Sequence, residues 1–352
     1  MTTINDDRLA ELLGGFVNDL GATMSAGNVI IGDKLGLYRA LAEAGPLTAV
    51  ELAEYTGTAE RYVREWLPGQ AASRFITYDA DSDAYSLTPE QALAFAEPAG
   101  LGLPGAFQLA VASLNASPKI LEAFRTGRGV AWGEHDAGVF TGCEQFYRPG
   151  YVANLLSSWV PAIDGLSDRL TAGIAVADVG CGLGASTRIL ANAYPASSVR
   201  GFDPHEASIL LARHATAKAG LDGRCDFAVA RAQDFPGTGY GLVATFDCLH
   251  DMGDPVAAAR HIRSTMADDG VWLIVEPFAG NQTADNLTPV GRVYYSFSTF
   301  LCVPHAISEG AEDALGNQAG EARIGAVVRR AGFGTFRRAA QTGFNLVYEA
   351  RP

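Results

Sequence analysis

The segment Ile174-Ala175-Val176-Ala177-Asp178-Val179-Gly180-Cys181-Gly182-Leu183-Gly184 constrains this chain most. A run of β-branched and small apolar residues reads as a buried strand, and the three alternating glycines that follow force a tight turn into whatever comes next. Further apolar strands are predicted near 198–203, 225–230, 242–247 and 271–276, with helical periodicity near 185–194, 205–219 and 254–267. Strands that alternate with helices make a doubly wound, mostly parallel α/β sheet covered on both faces. About forty irregular residues are expected after Glu276, then a helix near 319–331. Two strands, Gly334 to Ala340 and Phe344 to Ala350, are joined across Gln341-Thr342-Gly343, a connection short enough to require an antiparallel hairpin.

The first hundred residues follow another pattern. Leu9, Leu12, Leu13, Phe16, Val17 and Leu20 recur at three- and four-residue spacing, which predicts an amphipathic helix with an apolar stripe. A second helix is expected over Val29 to Glu43, and Thr48-x-x-Glu51 is a capping box opening a third that ends at Gly57. Thr58 is the expected cap of a fourth, interrupted at Pro68-Gly69, and two short strands flank Asp79-Ala80-Asp81-Ser82-Asp83. Helices followed by a hairpin are the order of a winged helix-turn-helix domain, a fold that serves DNA readers and dimerisation modules alike.

Charge separates those two uses. The whole chain has a formal net charge of −13, and residues 1–100 hold six basic and fifteen acidic side chains. Phosphate contacts need Lys or Arg where this wing tip places three aspartates, so a packing and dimerisation role is expected, and no nucleic-acid partner. Residues 101–165 read as a helical connector, with breaks at Pro104, Pro118, Gly127-Arg128-Gly129 and Pro149-Gly150, ahead of an α/β domain over 166–352. The five scattered cysteines form neither a disulfide framework nor a zinc motif, and no apolar run reaches the ~18 residues of a membrane span. A start lacking a basic, apolar leader completes the expectation of a cytoplasmic protein with no membrane partner and no metal site.

Gly180-x-Gly182-x-x-Ala185 also satisfies a dinucleotide fingerprint, and Asp203 at the second strand's end suits the ribose of either cofactor class. Asp234, within Ala232-Gln233-Asp234-Phe235, adds a carboxylate suited to an adenine amino group, with Phe235 beside the ring. Leu249-His250-Asp251-Met252 follows the fourth strand, and Glu276 closes the fifth. A nicotinamide-dependent oxidoreductase and a ligand-sensing transcription regulator are the alternatives that these residues leave open.

In order and spacing, Asp178 to Gly184, Asp203, Ala232 to Phe235 and Leu249 to Met252 resemble the motifs of class I S-adenosylmethionine-dependent methyltransferases. The whole chain is similar to small-molecule O-methyltransferases that dimerise through a front winged domain, and to uncharacterised actinobacterial and mycobacterial methyltransferases of this layout. The resemblance implies S-adenosylmethionine as cofactor, S-adenosylhomocysteine as product, a small, hydrophobic acceptor, and a homodimer. It implies a cofactor site of Asp178, Gly180, Gly182, Asp203, His205, Gln233, Asp234, Phe235, Phe246 and Cys248. In plant-type members a His-Asp pair at the place of His250-Asp251 supplies the base; here Met252-Gly253 stands where those enzymes carry an aromatic and a polar residue. His250 is thus the expected general base, with Asp251 supporting it and Glu276 orienting it. Tyr147, Tyr295 and Phe300 are the expected acceptor contacts.

Overall fold

The computed structural model describes residues 4–97 and 100–352, so the first three residues of the N-terminal stretch lie outside the description. The chain divides into two compact units, Met1–Val111 with Thr141–Pro149, and Ala112–Phe140 with Gly150–Pro352.

The first unit opens with helix α1, Asp6–Leu35, capped by the Asn5 side chain and ended by Gly36 at φ 71°. The first expected helix thereby runs on into the front of the second, because glycine inside a helix costs only about 1 kcal/mol, and left-handed Gly36 divides the expected Val29 to Glu43 helix in two. Helix α2 is Leu37–Ala44, and α3, Ala49–Thr56, carries the reciprocal Thr48–Glu51 capping box. Helix α4, Glu60–Ala72, starts from Ala59 with no side-chain cap, because the Thr58 hydroxyl is engaged with that of Thr56 at 2.8 Å. It also continues through Pro68 instead of stopping there. Buried Trp66, Leu67 and Gln70 hold both sides of the proline in the unit's core. In that core Tyr38 packs on Trp66 and Phe95 with ring centroids 5.2 and 5.1 Å apart. The wing is the antiparallel pair β1, Thr77–Asp79, and β2, Ala84–Ser86.

In the second unit the strands are β3, Ala175–Val179; β4, Ser198–Asp203; β5, Cys225–Val229; β6, Tyr240–Phe246; β7, Met266–Pro277; β8, Thr335–Gln341; and β9, Asn345–Arg351. Their order across one seven-stranded sheet is β5-β4-β3-β6-β7-β9-β8. β3 to β7 run parallel, and β9 and β8 pair antiparallel at one end. Every residue of β6 is buried, as a central parallel strand requires. Because β4 and β5 lie on one side of β3 and β6 and β7 on the other, the chain reverses direction across the sheet at the β3/β6 boundary. That boundary is where the strand ends open a crevice.

Two expected irregularities are helical instead. The helix Ala137–Asn154 passes straight through Pro149-Gly150. The segment after β7 contains a helix at Pro289–Phe297, a π turn at Ser298–Cys302 and a further helix at Val303–Ser308. Thr288 starts that run by accepting the Gly291 amide, and Pro289 fits the first turn, where its missing N–H costs nothing. Among the described residues no helix is long and apolar enough to cross a membrane.

Candidate functional site

At the end of β3 the amides of Gly180 and Cys181 both donate to the Phe202 carbonyl, at 2.8 and 3.0 Å, folding the loop over the neighbouring strand. All three loop glycines adopt the left-handed backbone, but for different reasons. A Cβ on Gly180 would meet Cys248 Sγ at 2.5 Å, and one on Gly184 would meet the Phe227 ring at 2.5 Å. A Cβ on Gly182 would meet nothing within 4 Å. Gly180 and Gly184 therefore permit packing, while Gly182 fronts open space where a ligand can approach the backbone.

Carboxylates line the same end of the sheet. Asp178 is fully buried, and its Oδ2 accepts the hydroxyls of Ser186 and Thr187, each at 2.6 Å. Among the described residues its Oδ1 has no partner, and burial pushes its pKa up to about 6. Asp203 accepts the amides of Gly182 and His205, both at 2.9 Å, which leaves lone pairs on each oxygen unfilled. Burial raises its pKa as well, against the pull of those two amides. His205 bonds Ser208 at 2.8 Å through Nδ1, and its ring lies 4.3 Å from that of Phe140.

Across the crevice, β6 ends in a single turn, Leu249–Asp251. The Leu249 amide donates to Glu276 Oε1 at 2.9 Å, and His250 Nδ1 lies 2.7 Å from Glu276 Oε2. Both side chains of this pair are buried. Burial alone lowers the His250 pKa, yet the Glu276 carboxylate and a hydrogen bond with Cys302 carry it well above the usual histidine value. Asp251 is pushed up to about 6 by burial, opposed by His250 and His305.

The remaining expected residues are distributed unevenly. Cys248 sits over the loop, its thiol donating to the Val179 carbonyl at 3.3 Å. Asp234 is exposed and accepts the Arg231 amide at 3.0 Å, with Gln233 half-buried beside it. Phe235 is in the core, 5.0 Å from Phe202 and edge-on to His261 at 4.7 Å, and Phe246 packs against Tyr151 and Trp159. Tyr295 lines a cavity in this unit, whereas Phe300 packs on the small apolar cluster of Ala116, Ile120 and Val130. Tyr147 belongs to the first unit, edge-on to Phe146 at 4.9 Å.

Sequence reasoning passes over three further features. Asp247 adopts φ 51° without being glycine and accepts from Tyr151 at 3.0 Å and Asn345 at 2.8 Å. Burial, with Glu276 nearby, raises its pKa to about 7. Cys302 reaches the His250 ring from a π turn that lacks any recognisable motif. Trp132, His135 and His305 gather close to His205 and Phe140, and among the described residues both ring nitrogens of buried His135 have no hydrogen-bond partner. The lone signal for the first was a carboxylate at a strand end. Among the described residues no group of three His, Cys, Asp or Glu side chains is placed to hold a metal ion.

Known proteins match both parts of the chain. Residues 23–96 match the Rv2258c-like winged HTH domain, and residues 170–324 match a methyltransferase domain. A candidate O-methyltransferase from Nostoc punctiforme superposes with a TM-score of 0.74 at 19% identity, each chain covered fully. Human N-acetylserotonin methyltransferase, solved with S-adenosylmethionine, gives 0.72 at 18%, covering 100% of this chain and 99% of that one. The mitomycin 7-O-methyltransferase MmcR gives 0.70 at 17%, covering 99% and 100%. No curated protein matches the chain in sequence. The matched domains, the strand order and the glycine loop together show a methyltransferase domain of the class I fold preceded by a winged helix-turn-helix domain.

Proposed function

We propose that this protein transfers a methyl group from S-adenosylmethionine to a hydroxyl oxygen of a small acceptor, with His250 as general base. The observation that carries this reading is the buried His250–Glu276 pair at 2.7 Å, set at the end of β6 across from the glycine loop of β3. The cofactor fits the residues present. Gly182 fronts open space, and Asp203 has lone pairs left for the two ribose hydroxyls. Asp178 braces the loop through Ser186 and Thr187. When bound, the cofactor would supply an activated methyl carbon on a sulfonium, with the thioether as leaving group.

The protein then has to align the hydroxyl and accept its proton. Glu276 fixes the imidazole through Nδ1 and stabilises the imidazolium that forms, and Nε2, the nitrogen left for Cys302, is the proton-accepting atom. Asp251 sits one residue on, held largely neutral by burial below pH of about 6. Tyr147, Tyr295 and Phe300 are carried forward as acceptor contacts, Gln233, Asp234, Phe235, Phe246 and Cys248 as the cofactor's edge. A homodimer through the first unit fits the apolar residues that α1 exposes, and the acidic wing argues against a nucleic-acid partner. Among the described residues the cysteines form no disulfide, as a reducing cytoplasm would keep them.

Thermal shift with S-adenosylhomocysteine, S-adenosylmethionine, NADH and NADPH tests the cofactor. A ligand at a hundred times its Kd stabilises by about 2.7 kcal/mol, so S-adenosyl compounds are expected to raise Tm clearly and nicotinamides not at all. Stabilisation by NADH or NADPH alone would refute the proposal.

A further inference from the structure

Half-buried Trp132 is the hub of a ring cluster that lies wholly in the second unit. Its ring centroid is 6.1 Å from that of His135, 5.9 Å from Phe140 and 5.7 Å from His305. Phe140 continues the contact to His205 at 4.3 Å, and a Cβ on Gly133 would lie 3.8 Å from His205 Nε2. The Val130 amide donates to the Pro304 carbonyl at 2.9 Å, which ties this segment to the helix that carries His305.

The cluster connects both halves of the site. On one side the His205 amide donates at 2.9 Å to Asp203, the carboxylate proposed for the ribose. On the other, His305 stands three residues after Cys302, on the same face of one continuous helical run, and Cys302 bonds the His250 ring. Burial raises the pKa of both Asp203 and Asp251, and His305 opposes the rise at each, so its ring is within electrostatic reach of both. Polar atoms in the cluster are bare. His135 is only 6% exposed, yet among the described residues neither of its ring nitrogens has a hydrogen-bond partner, and the buried Nδ1 of His305 has none. Native structures fill such positions, because a bare buried polar group has lost its water and gained nothing. Burial, with Lys119 and His305 adding to it against Glu134, lowers the His135 pKa, so the ring is neutral at pH 7. A neutral imidazole has one N–H and one nitrogen lone pair. Filling both takes a hydrogen-bond acceptor and a donor, which neither a carboxylate nor an ether supplies alone.

We infer that His135 and His305 hold an uncharged polar group of the methyl acceptor, separate from the hydroxyl that is methylated and able both to donate and to accept hydrogen bonds, with the acceptor's body against Trp132. The inference rests on the methyl-transfer reading, in which the ligand lying between Asp203 and His250, beyond the cofactor itself, is the acceptor. It makes the two histidines determinants of specificity. An acceptor lacking that group leaves their nitrogens bare, and a site built to hydrogen-bond a ligand group rejects the analogue without it.

Fluorescence titration of the full chain with naphthalene-2,7-diol, 2-naphthol and 7-methoxy-2-naphthol, each with S-adenosylhomocysteine present, tests this. The second group of the diol donates and accepts, that of the methoxy compound only accepts, and 2-naphthol has none. The diol is expected to bind roughly tenfold more tightly than either. His135→Phe and His305→Phe, which keep a ring against Trp132, should each remove most of that preference and leave 2-naphthol binding unchanged. His305→Asn, whose side-chain amide stands near the place of Nδ1, should keep part of it. Because an apolar ring replaces bare polar atoms, His135→Phe should hold or raise the Tm of the free protein, and half-buried His305 supplies a second variant at a less enclosed position. Equal binding of the three probes, or a diol preference that survives in both phenylalanine variants, would overturn the inference. Tm with S-adenosylhomocysteine, read on the same samples, separates the two claims. Stabilisation of the wild type without a diol preference refutes the role of the histidine pair alone, whereas no stabilisation refutes methyl transfer and the acceptor assignment with it.

Discussion

At Asp247 a non-glycine residue takes a left-handed backbone to place a carboxyl between Tyr151 and Asn345, residues 96 and 98 positions away. Such strain costs on the order of 1–3 kcal/mol and persists only where surroundings hold it. Its folded pKa of about 7 lies above the ~3.9 of an unfolded aspartate, so the native state binds the extra proton between those values. Stability from this group is therefore complete below pH of about 4 and falls as pH rises toward 7. Asp247→Asn, which mimics the neutral acid, should flatten the pH dependence of Tm across that window and raise Tm at pH 8 relative to the wild type. A second residue-scale prediction concerns the base. Glu276 raises the His250 pKa, so the rising limb of kcat against pH should stand above the ordinary ~6.5 and move down in Glu276→Gln. His250→Ala should cut turnover by about 10²–10⁴ while leaving the S-adenosylhomocysteine Kd unchanged. The sequence placed His250 and Glu276 at strand ends; their 2.7 Å contact depended on β6 and β7 lying in register.

Among elements, the glycine loop divides into residues that pack and one that faces a ligand. All three glycines have positive φ, so alanine strains each by about 1–2 kcal/mol. Gly184→Ala adds a clash with Phe227 and Gly180→Ala one with Cys248, so both should lower Tm further. Gly182→Ala meets no protein atom and should weaken cofactor binding with the smaller loss of Tm. Calorimetric Tm beside cofactor titration separates these; equal Tm losses in all three would contradict the division. The loop was legible because strand, glycine and helix alternate locally. Phe235 was less legible: an aromatic beside a polar loop residue fits a ligand edge or a core, and its packing on Phe202 and His261 exists only in the folded chain. The segment after β7, expected to be irregular, holds two short helices in which Pro289 and Pro304 each stand in the first turn, where a proline is tolerated.

On the scale of the whole molecule, the long helix α1 leaves Leu12, Phe16, Val17 and Met24 more than half exposed. A contiguous apolar stripe of that length on a soluble surface marks an interface. If a second copy covers it, Leu12→Asp with Phe16→Asp should convert a dimer to a monomer in sedimentation velocity, with the S-adenosylhomocysteine Kd retained. A wild-type monomer would remove that role from α1. The stripe was evident from its spacing, but spacing could not tell an inward face from an outward one.

The amino-acid sequence by itself determined the alternation of strands and helices, the glycine loop, the acidic wing and the antiparallel finish, because each is written in short-range periodicity, turn chemistry or charge. Tertiary structure alone decided which polar groups meet: His250 with Glu276, Asp247 with Asn345, and Cys302 with His250. These contacts join residues far apart in the chain, and their burial sets their proton affinities. No local pattern encodes that environment, since it exists only once the strands have been ordered and the helices laid over them.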